Sequence, residues 1–446
     1  MRETRNAQLR IFDSYANHEL GKQLEALSAI LDEHPAILSL VGHDLGVGKG
    51  VAHGACGLSV ESVFRCLFLN QIVGVSYERL AFHLRDSNTY RSFARLHCGQ
   101  APSRSGLQST VRQISPSTLE QINRLLMGHW VESSVLKLDA IRIDSTVVES
   151  NILCPYDSQL LDDGVRVLSR MLFQCKRHLG VKLRFTDQRK RSKSLAFRIF
   201  HAKLTEKQVL YPKLLSCVGI VLTQVSRAID TVRLMAPDAL NTRQWIEKLE
   251  HYRDLLLRVV DQTQRRVYDG ETVPASEKIV SLFEEHTDII VKGKRDVQYG
   301  HKVNLATQAD GFIAHLSCEK GNPADSTLYL PVLTACQSDY AITPQTIVAD
   351  GCYISHDNIE AAKTQGVKRT VFNKPAGLSY ADMGVKKKTF LRWRNFRAGV
   401  EGNISELKRA FGASRAMWKR EDGFHAFVWS SVLSYNLVRM ARFSSA

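Results

Sequence analysis

The feature that most constrains the fold is the spacing of the strand-like segments. Residues 141–148 have the alternation and the β-branched content of a strand, and a long stretch of helical pattern follows them. Strand patterns resume only after residue 300, at 301–307, 312–317, 346–349 and 369–372. The second and third of these five segments are joined by a turn at 308–311, which indicates a hairpin. The sequence therefore predicts a mixed α/β fold whose sheet is interrupted by a large helical insertion.

The helical pattern before the first strand has a different character from the pattern after it. Residues 1–132 contain several short helices, with Ser105 and Ser117 predicted as caps that begin two of them. Short helices joined by brief turns favour an N-terminal DNA-binding domain of the helix-turn-helix type, although ordinary helix packing gives the same pattern. The insertion, at about 155–290, has the apolar periodicity of long helices, with a break near 236–238. The first strand is therefore predicted to lie between a region of short helices and a region of long helices.

Positive charge is concentrated in two segments. The chain of 446 residues has 60 Lys and Arg against 45 Asp and Glu, a formal net charge of +15. Residues 176–213 have a net charge of +10 and residues 386–420 a net charge of +9, so the remainder is slightly acidic. Two such segments indicate surfaces for a polyanion, above all nucleic acid, and the alternative is a solvated basic face without a ligand.

Several classes of protein are disfavoured by the sequence. The most apolar stretches are interrupted by polar residues before they reach the ~20 residues that span a bilayer, and the start has no apolar segment typical of a signal peptide. We therefore expect a cytoplasmic protein with no membrane partner. The nine cysteines are scattered without the spacing of a zinc module, and no phosphate-binding loop or dinucleotide fingerprint occurs.

Two aspartates stand where catalytic acids often lie in sheet proteins. Asp144 comes at the end of the first predicted strand, and Asp350 follows the buried run 346–349. Gly351 permits a sharp exit of the chain and the close approach of a ligand. An aspartate that merely ends a strand and starts a turn is the competing interpretation.

A third acid lies on the predicted C-terminal helix. Its apolar stripe runs from Phe390 to Phe411, and Glu401 lies on another side of the helix with three cations, Arg394, Arg397 and Lys408. Such a group can be ordinary surface pairing, worth a few tenths of a kcal/mol. It can equally be a metal-binding carboxylate flanked by side chains that hold phosphate.

These motifs carry a resemblance to bacterial insertion-sequence transposases of the DDE class, similar to the ISNCY-type elements. The segments 143–150 and 348–351 resemble the motifs of the first and second Asp, and 300–303 and 321–326 resemble the middle sheet segments. Arg397, Glu401 and Lys408 match the Arg-x3-Glu-x6-Lys spacing of the signature helix. The Tyr expected three residues before that Arg is Arg394 here.

The resemblance implies an RNase H-like catalytic domain over 133–446, with the helical basic insertion inside it. It implies Asp144, Asp350 and Glu401 as a catalytic triad that binds two Mg²⁺ or Mn²⁺ ions. The reaction implied is hydrolysis of the DNA phosphodiester at the element ends, followed by joining of the 3′-hydroxyl to target DNA. The partners implied are the terminal inverted repeats and target DNA, in a nucleoid-associated protein that acts as a homodimer in the synaptic complex. The residues expected to contact DNA are Arg394, Arg397, Lys408, Arg189, Lys190, Arg191 and Lys193.

Two alternatives stay open on the sequence. One is an RNase H-like nuclease or resolvase that cuts without joining, and the other is a decayed, inactive transposase that only binds DNA. Other side chains also compete for the metal-binding role, because they lie near the matched motifs or on predicted strands. These are Asp139, Glu149, Asp325, His301 and His315. For both histidines, a place in the core or on the surface is favoured over zinc binding, since neither has a partner at metal-ligand spacing.

Overall fold

The structure is a computed structural model that describes residues 3–5, 15–47, 57–97, 99–235, 240–292, 296–373 and 377–444. The chain divides into two compact units. Unit 1 consists of Met1–Ser150 together with His301–Ala446, and unit 2 is Asn151–Gly300. The predicted insertion at about 155–290 lies within unit 2.

Unit 1 begins with short helices that bury their apolar faces in one core. Their bounds are α1 Glu19–Glu33, α2 Ala36–Asp44, α3 Val60–Val73, α4 Tyr77–Asp86, α5 Asn88–Phe93, α6 Arg104–Val111 and α7 Pro116–Glu132. Helix α3 is buried over almost its whole length, and its Arg65 is only 1% exposed. That guanidinium is balanced by Asp32 and Glu61, so the buried charge is paired.

Two helix starts differ from the predicted ones by two residues. The cap of α6 is Ser103, whose hydroxyl accepts a hydrogen bond from the Gly106 amide, and the cap of α7 is Ser115, which accepts from Thr118. The predicted caps Ser105 and Ser117 are therefore wrong. In α7 the reason is Pro116, because proline is well suited to the first helical position. The predicted break at 236–238 lies outside the described residues.

The sheet is mixed, which confirms the mixed α/β prediction. Its strands are β1 Ala140–Ser150, β2 Asp288–Lys292, β3 Asp296–Gln308, β4 Ile313–Glu319, β5 Thr346–Ala349, β6 Arg369–Phe372 and β7 Arg415–Ala416. The strand order is β2-β3-β1-β5-β6, while β4 pairs with β3 and β7 with β1. Strands β5 and β6 are parallel to their neighbours, and β2 and β4 are antiparallel to β3. Strands β2 and β7 were not predicted, because they are short and lack a distinct alternation.

The later helices of unit 1 cover the sheet and complete the core. They are α12 Tyr329–Tyr340, α13 His356–Thr364, α14 Lys387–Ala410 and α15 Glu421–Ser444. Helix α14 packs on β1, β5 and β6, and α15 packs against α1, α3 and α7. Residues from both ends of the chain thus share one apolar cluster that extends from Leu24 to Ala441. The helices of the predicted N-terminal domain 1–132 therefore share a core with α15 inside unit 1.

Unit 2 is a helical unit with a core of its own. Its helices are α8 Asp157–Leu179, α9 Arg189–His201, α10 Leu204–Met235 and α11 Leu240–Val267. Their apolar faces form one cluster that includes Leu161, Val221 and Leu256. Over Leu204–Leu234, α10 is long and apolar enough to cross a membrane by length and composition alone, with a mean hydropathy of 1.4. The central residues of that helix, such as Leu214 and Val221, are buried in this helical core.

Candidate active site

The two predicted aspartates lie on or next to neighbouring strands in the middle of the sheet. Strands β1 and β5 are parallel, and their register pairs Ile143 with Ala349. The next residue of β1 is Asp144, and Asp350 is the first residue after β5. The prediction that Asp144 ends its strand is wrong, because β1 continues to Ser150 to pair with β7. The register nevertheless places Asp350 near Asp144, where its charge acts on the Asp144 carboxylate. Asp350 also precedes a short 3₁₀ turn over Gly351–Tyr353, which turns the chain away from the sheet.

Asp144 is held by its surroundings on both carboxylate oxygens. Its Oδ1 accepts a hydrogen bond from the Ser145 amide at 2.8 Å, and its Oδ2 accepts one from Arg397 Nη1 at 3.2 Å. Burial raises the pKa of Asp144 above its ordinary value, and the nearby Asp350 and Glu401 raise it further against the lowering effect of Arg397. Three acids therefore influence one another electrostatically at this site.

Glu401 reaches this group of acids from helix α14. Arg397, one helical turn earlier, donates from Nη2 to Glu401 Oε1 at 2.6 Å while its Nη1 contacts Asp144. The Arg397 side chain is 11% exposed and that of Glu401 is 63% exposed. Arg397 is thus a largely buried cation that bridges two of the three predicted catalytic acids.

The donor chemistry of the three acids suits a hard divalent cation, since carboxylate oxygens are the ligands that Mg²⁺ prefers. Among the described residues, however, no three His, Cys, Asp or Glu side chains are gathered closely enough to hold a metal ion. The guanidinium of Arg397 lies between Asp144 and Glu401. Asp144 and Glu401 are thus both engaged by the Arg397 guanidinium.

A second polar group adjoins Asp144 on β1. Ser145 donates from its hydroxyl to Asp325 Oδ1 at 3.1 Å, and Lys302 Nζ lies 3.2 Å from the same oxygen. Tyr353 is buried behind them, and its hydroxyl donates to Asn304 Oδ1 at 2.8 Å. Asp325 was considered in the sequence analysis only as an alternative metal ligand. It forms an ion pair with Lys302 beside the site. Lys302 could not be singled out from the sequence beyond its place in the segment 300–303.

Arg142 is a further residue that the sequence did not single out. It lies on β1, two residues before Asp144, and is 6% exposed. Its guanidinium donates to the carbonyl oxygens of Phe396 at 3.1 Å and of Gln308 at 2.8 Å, and to Asn403 Oδ1 at 3.2 Å. Two of these three partners lie on α14, the helix that carries Arg397 and Glu401. Arg142 therefore fastens that helix to the strand of Asp144.

The predicted DNA-binding residues fall on two different helices. In unit 1, Arg394 on α14 is exposed, and Lys408 near the end of the same helix is partly buried. In unit 2, Lys190, Arg191 and Lys193 are exposed on α9. Arg189 on the same helix makes a two-pronged ion pair with Asp187, at 2.9 and 2.7 Å.

The competing residues are placed away from the three acids or are otherwise engaged. Asp139 is exposed ahead of β1, and Glu149 pairs with Arg415 on β7 at 2.5 Å. The ring of His301 contacts Phe424, with centroids 4.8 Å apart. Burial lowers the pKa of His315 to about 4, so this side chain is neutral at physiological pH.

One comparison with known proteins gives a match and two do not. The family described as the transposase DDE domain matches residues 256–437. This range contains Asp350 and Glu401, while Asp144 lies before it. No curated protein and no solved structure matches the chain. The match supports a DDE transposase family for this chain.

Proposed function

We propose that the protein is a transposase that binds the ends of an insertion sequence, hydrolyses the DNA phosphodiester there and joins the freed 3′-hydroxyl to target DNA. The observation that carries this proposal is the register of β1 and β5, which brings Asp144 and Asp350 together beside Arg397 and Glu401. The domain match over 256–437 supports the same class of reaction. We further propose an RNase H-like catalytic domain that extends from 133 to 446.

Asp144 and Asp350 would hold the divalent ions, with Glu401 as the third ligand. Divalent ions bound at these carboxylates would supply activation of the attacking water or 3′-hydroxyl and stabilisation of the leaving oxygen. The positions of these carboxylates are set by contacts within the protein itself. Strand β1 and helix α14 are fastened by Arg142, so Asp144 and Glu401 are held toward each other without a flexible loop between them.

Arg397 has two successive tasks in this proposal. Without DNA, its guanidinium neutralises Asp144 and Glu401, which limits the repulsion between them. When the scissile strand arrives, the same fork of donors is suited to a backbone phosphate. Arg394, Lys408 and the exposed cations of α9 would contact the DNA backbone elsewhere. The expected location is the cytoplasm, at the nucleoid, with a homodimer that pairs the two ends.

A DNA-binding protein without catalysis is the second candidate. The observation that favours it is the position of Arg397 between two of the acids, together with the lack of a three-ligand group in the described part of the chain. A nuclease that cuts without joining differs from the leading proposal only in the strand-transfer step.

The test uses DNA that carries both sequences flanking the gene, incubated with the purified protein and Mg²⁺ or Mn²⁺. Asp144→Asn, Asp350→Asn and Glu401→Gln should each bind this DNA as the unmodified protein does and should not cut it. Asp139→Asn is the matched control, because Asp139 is exposed ahead of the same strand, and it should retain cutting. Cutting by any of the three variants would remove that residue from the triad. Cutting without joined products would favour the nuclease.

A further inference from the structure

A cavity of about 620 Å³ lies inside unit 1, away from the residues assigned so far. It is formed by the start of α4, one side of α6 and the chain that follows α14. Its volume is within the range of about 300–1,000 Å³ that is typical of small-molecule sites. All of its walls belong to one compact unit, so the cavity is a property of the fold of unit 1 alone.

The cavity is positively charged. Arg104 and Arg112 lie eight residues apart on one side of α6 and its C-terminal cap, with Gln108 between them, and Arg409 enters from the end of α14. Glu78 is the acid among the lining residues. It lies 3.8 Å from Arg104, but both side chains are more than half exposed, so this pair neutralises little of the charge. Arginine forks of this kind match the geometry of phosphate oxygens.

One wall of the cavity is flat and apolar. Trp418 is 4% exposed and contacts the ring of Phe427, and the Arg112 guanidinium lies 5.8 Å from the Trp418 ring centroid. Gly412 has a φ of +75°, a backbone conformation that favours glycine, where the chain turns beside Phe427. Aromatic rings and arginine planes are the surfaces on which unpaired bases stack.

Neutral hydrogen-bonding groups complete the lining. Gln71 donates from Nε2 to the Ser430 hydroxyl, which fixes the orientation of its amide. Burial raises the pKa of Tyr77 to about 12, so its hydroxyl stays neutral and does not repel an anion. Amides of Asn and Gln are common partners of base edges. Cations, a flat apolar wall and amides thus occur together in one cavity.

We propose that this cavity binds a nucleotide, with the base against the guanidinium plane of Arg112, which packs near the buried Trp418 ring, and the phosphate at Arg104 and Arg409. The nucleotide is either free or an unpaired residue of a DNA strand. The second source rests on the proposed function, whereas the cavity itself does not. The site would recognise a base outside a duplex, a role that the proposal for Asp144, Asp350 and Glu401 does not include.

The test measures binding of a fluorescently labelled short single strand to the full-length protein by fluorescence anisotropy, in EDTA. Arg104→Ser/Arg409→Ser should weaken binding roughly tenfold. Lys22→Ser/Arg85→Ser removes the same charge from exposed positions of α1 and α4 outside the cavity and should bind nearly as the unmodified protein does. Ala410→Trp, at the last residue of α14, should fill the cavity and weaken binding without a change of charge.

Equal losses in the two double variants would overturn the proposal, since they would show general charge attraction. Unchanged binding by Ala410→Trp, with a thermal melt like that of the unmodified protein, would overturn it as well. Displacement of the strand by dAMP would identify a site that accepts a free nucleotide, and sensitivity to Ala410→Trp without displacement would identify a base within a strand. EDTA prevents metal-dependent cutting, so this binding test does not depend on catalysis. A negative result here would contradict the nucleotide site, whereas cutting by a triad variant would contradict the proposed function.

Discussion

At the scale of single residues, the burial of Asp144, one of the proposed catalytic acids, is unfavourable for its charged form. Asp144 is partly buried beside two other carboxylates, and burial is the main cause of its raised pKa. A raised pKa means that the folded state binds a proton more tightly than the unfolded state does. The contribution of Asp144 to stability is therefore most favourable at low pH and declines as pH rises through its folded pKa.

Asp144→Asn should accordingly stabilise the protein at pH 8 while it abolishes DNA cutting. The amide keeps the shape of the side chain and removes a charge that is costly to bury, against the loss of its ion pair with Arg397. We expect a rise in melting temperature of roughly 1–3 °C, from the usual relation between free energy and melting temperature. Calorimetry at pH 8 checks this, and a melting temperature that falls would contradict it. Asp139→Asn should leave the melting temperature nearly unchanged.

For His315 we expect the opposite dependence of stability on pH. Burial lowers its folded pKa to about 4 from an unfolded value near 6.5, so the unfolded state binds more protons between these two values. The stability that depends on neutral His315 is complete above pH 6.5 and is lost as pH falls toward 4. His315→Gln should flatten the decline of stability in that window, as measured by urea denaturation at several pH values. An unchanged slope would show that other groups cause the decline.

At the scale of elements, the packing of α14 on β1 depends on one glycine. A Cβ on Gly399 would overlap Arg142 Nη1 and lie 2.8 Å from its Cζ, so the buried guanidinium packs directly on the helix at this residue. Arg142 also stacks over the ring of Phe396, 4.6 Å from its centroid. Glycine inside a helix normally reduces stability, and here it permits the contact that holds Glu401 near Asp144.

Gly399→Ala should therefore destabilise the protein, although alanine normally stabilises a helix interior by up to about 1 kcal/mol over glycine. Gly402→Ala on the same helix is the control, because a Cβ there has no neighbour within 4 Å, and it should stabilise the protein. The free energy of unfolding, measured by urea denaturation, shows for each variant whether the change stabilises or destabilises the protein. DNA cutting should decline in Gly399→Ala and persist in Gly402→Ala. Stabilisation by both changes would show that Arg142 moves aside freely.

At the scale of the whole molecule, unit 2 has the features of an independently stable insertion. Its helices bury a continuous apolar core, and charged pairs such as Arg266 with Asp157 lie inside the unit. Most of the basic segment 176–213 lies on α8, α9 and α10 of this unit. The chain thus concentrates positive charge on a unit that is inserted in sequence between Ser150, the end of β1, and His301 within β3.

A fragment of residues 151–300 should fold alone into a helical unit and bind duplex DNA in a salt-dependent manner. Circular dichroism with thermal melting checks folding, and binding at several salt concentrations gives the slope. Lys190→Ala/Lys193→Ala should reduce the slope by roughly 2, at about 0.9 per phosphate contact. Arg189→Ala should change it less, because Arg189 is paired with Asp187. A fragment that melts without cooperativity would contradict the independence of unit 2.

Much of the fold could be predicted from the sequence because the signals were local. The alternation in β1, the apolar runs of β5 and β6 and the hairpin of β3 and β4 each lie within a few residues. The same signals predicted that Asp144 and Asp350 lie at strand ends, which holds for Asp350 after β5 but is wrong for Asp144, since β1 continues to Ser150. The triad itself stays a prediction until the variants are tested.

The rest was decided by contacts between distant parts of the chain. Sequence periodicity places Arg397 beside Glu401 on one helix, but only the packing of α14 on β1 brings its guanidinium to Asp144. Nor does any local pattern reveal that α15 completes the core of the first helices, or that Arg142 ties β1 to α14. Local patterning therefore determined most of the elements and the position of Asp350 directly after β5. Tertiary packing decided which charges meet, because burial and ion pairing depend on neighbours that are far apart in the sequence.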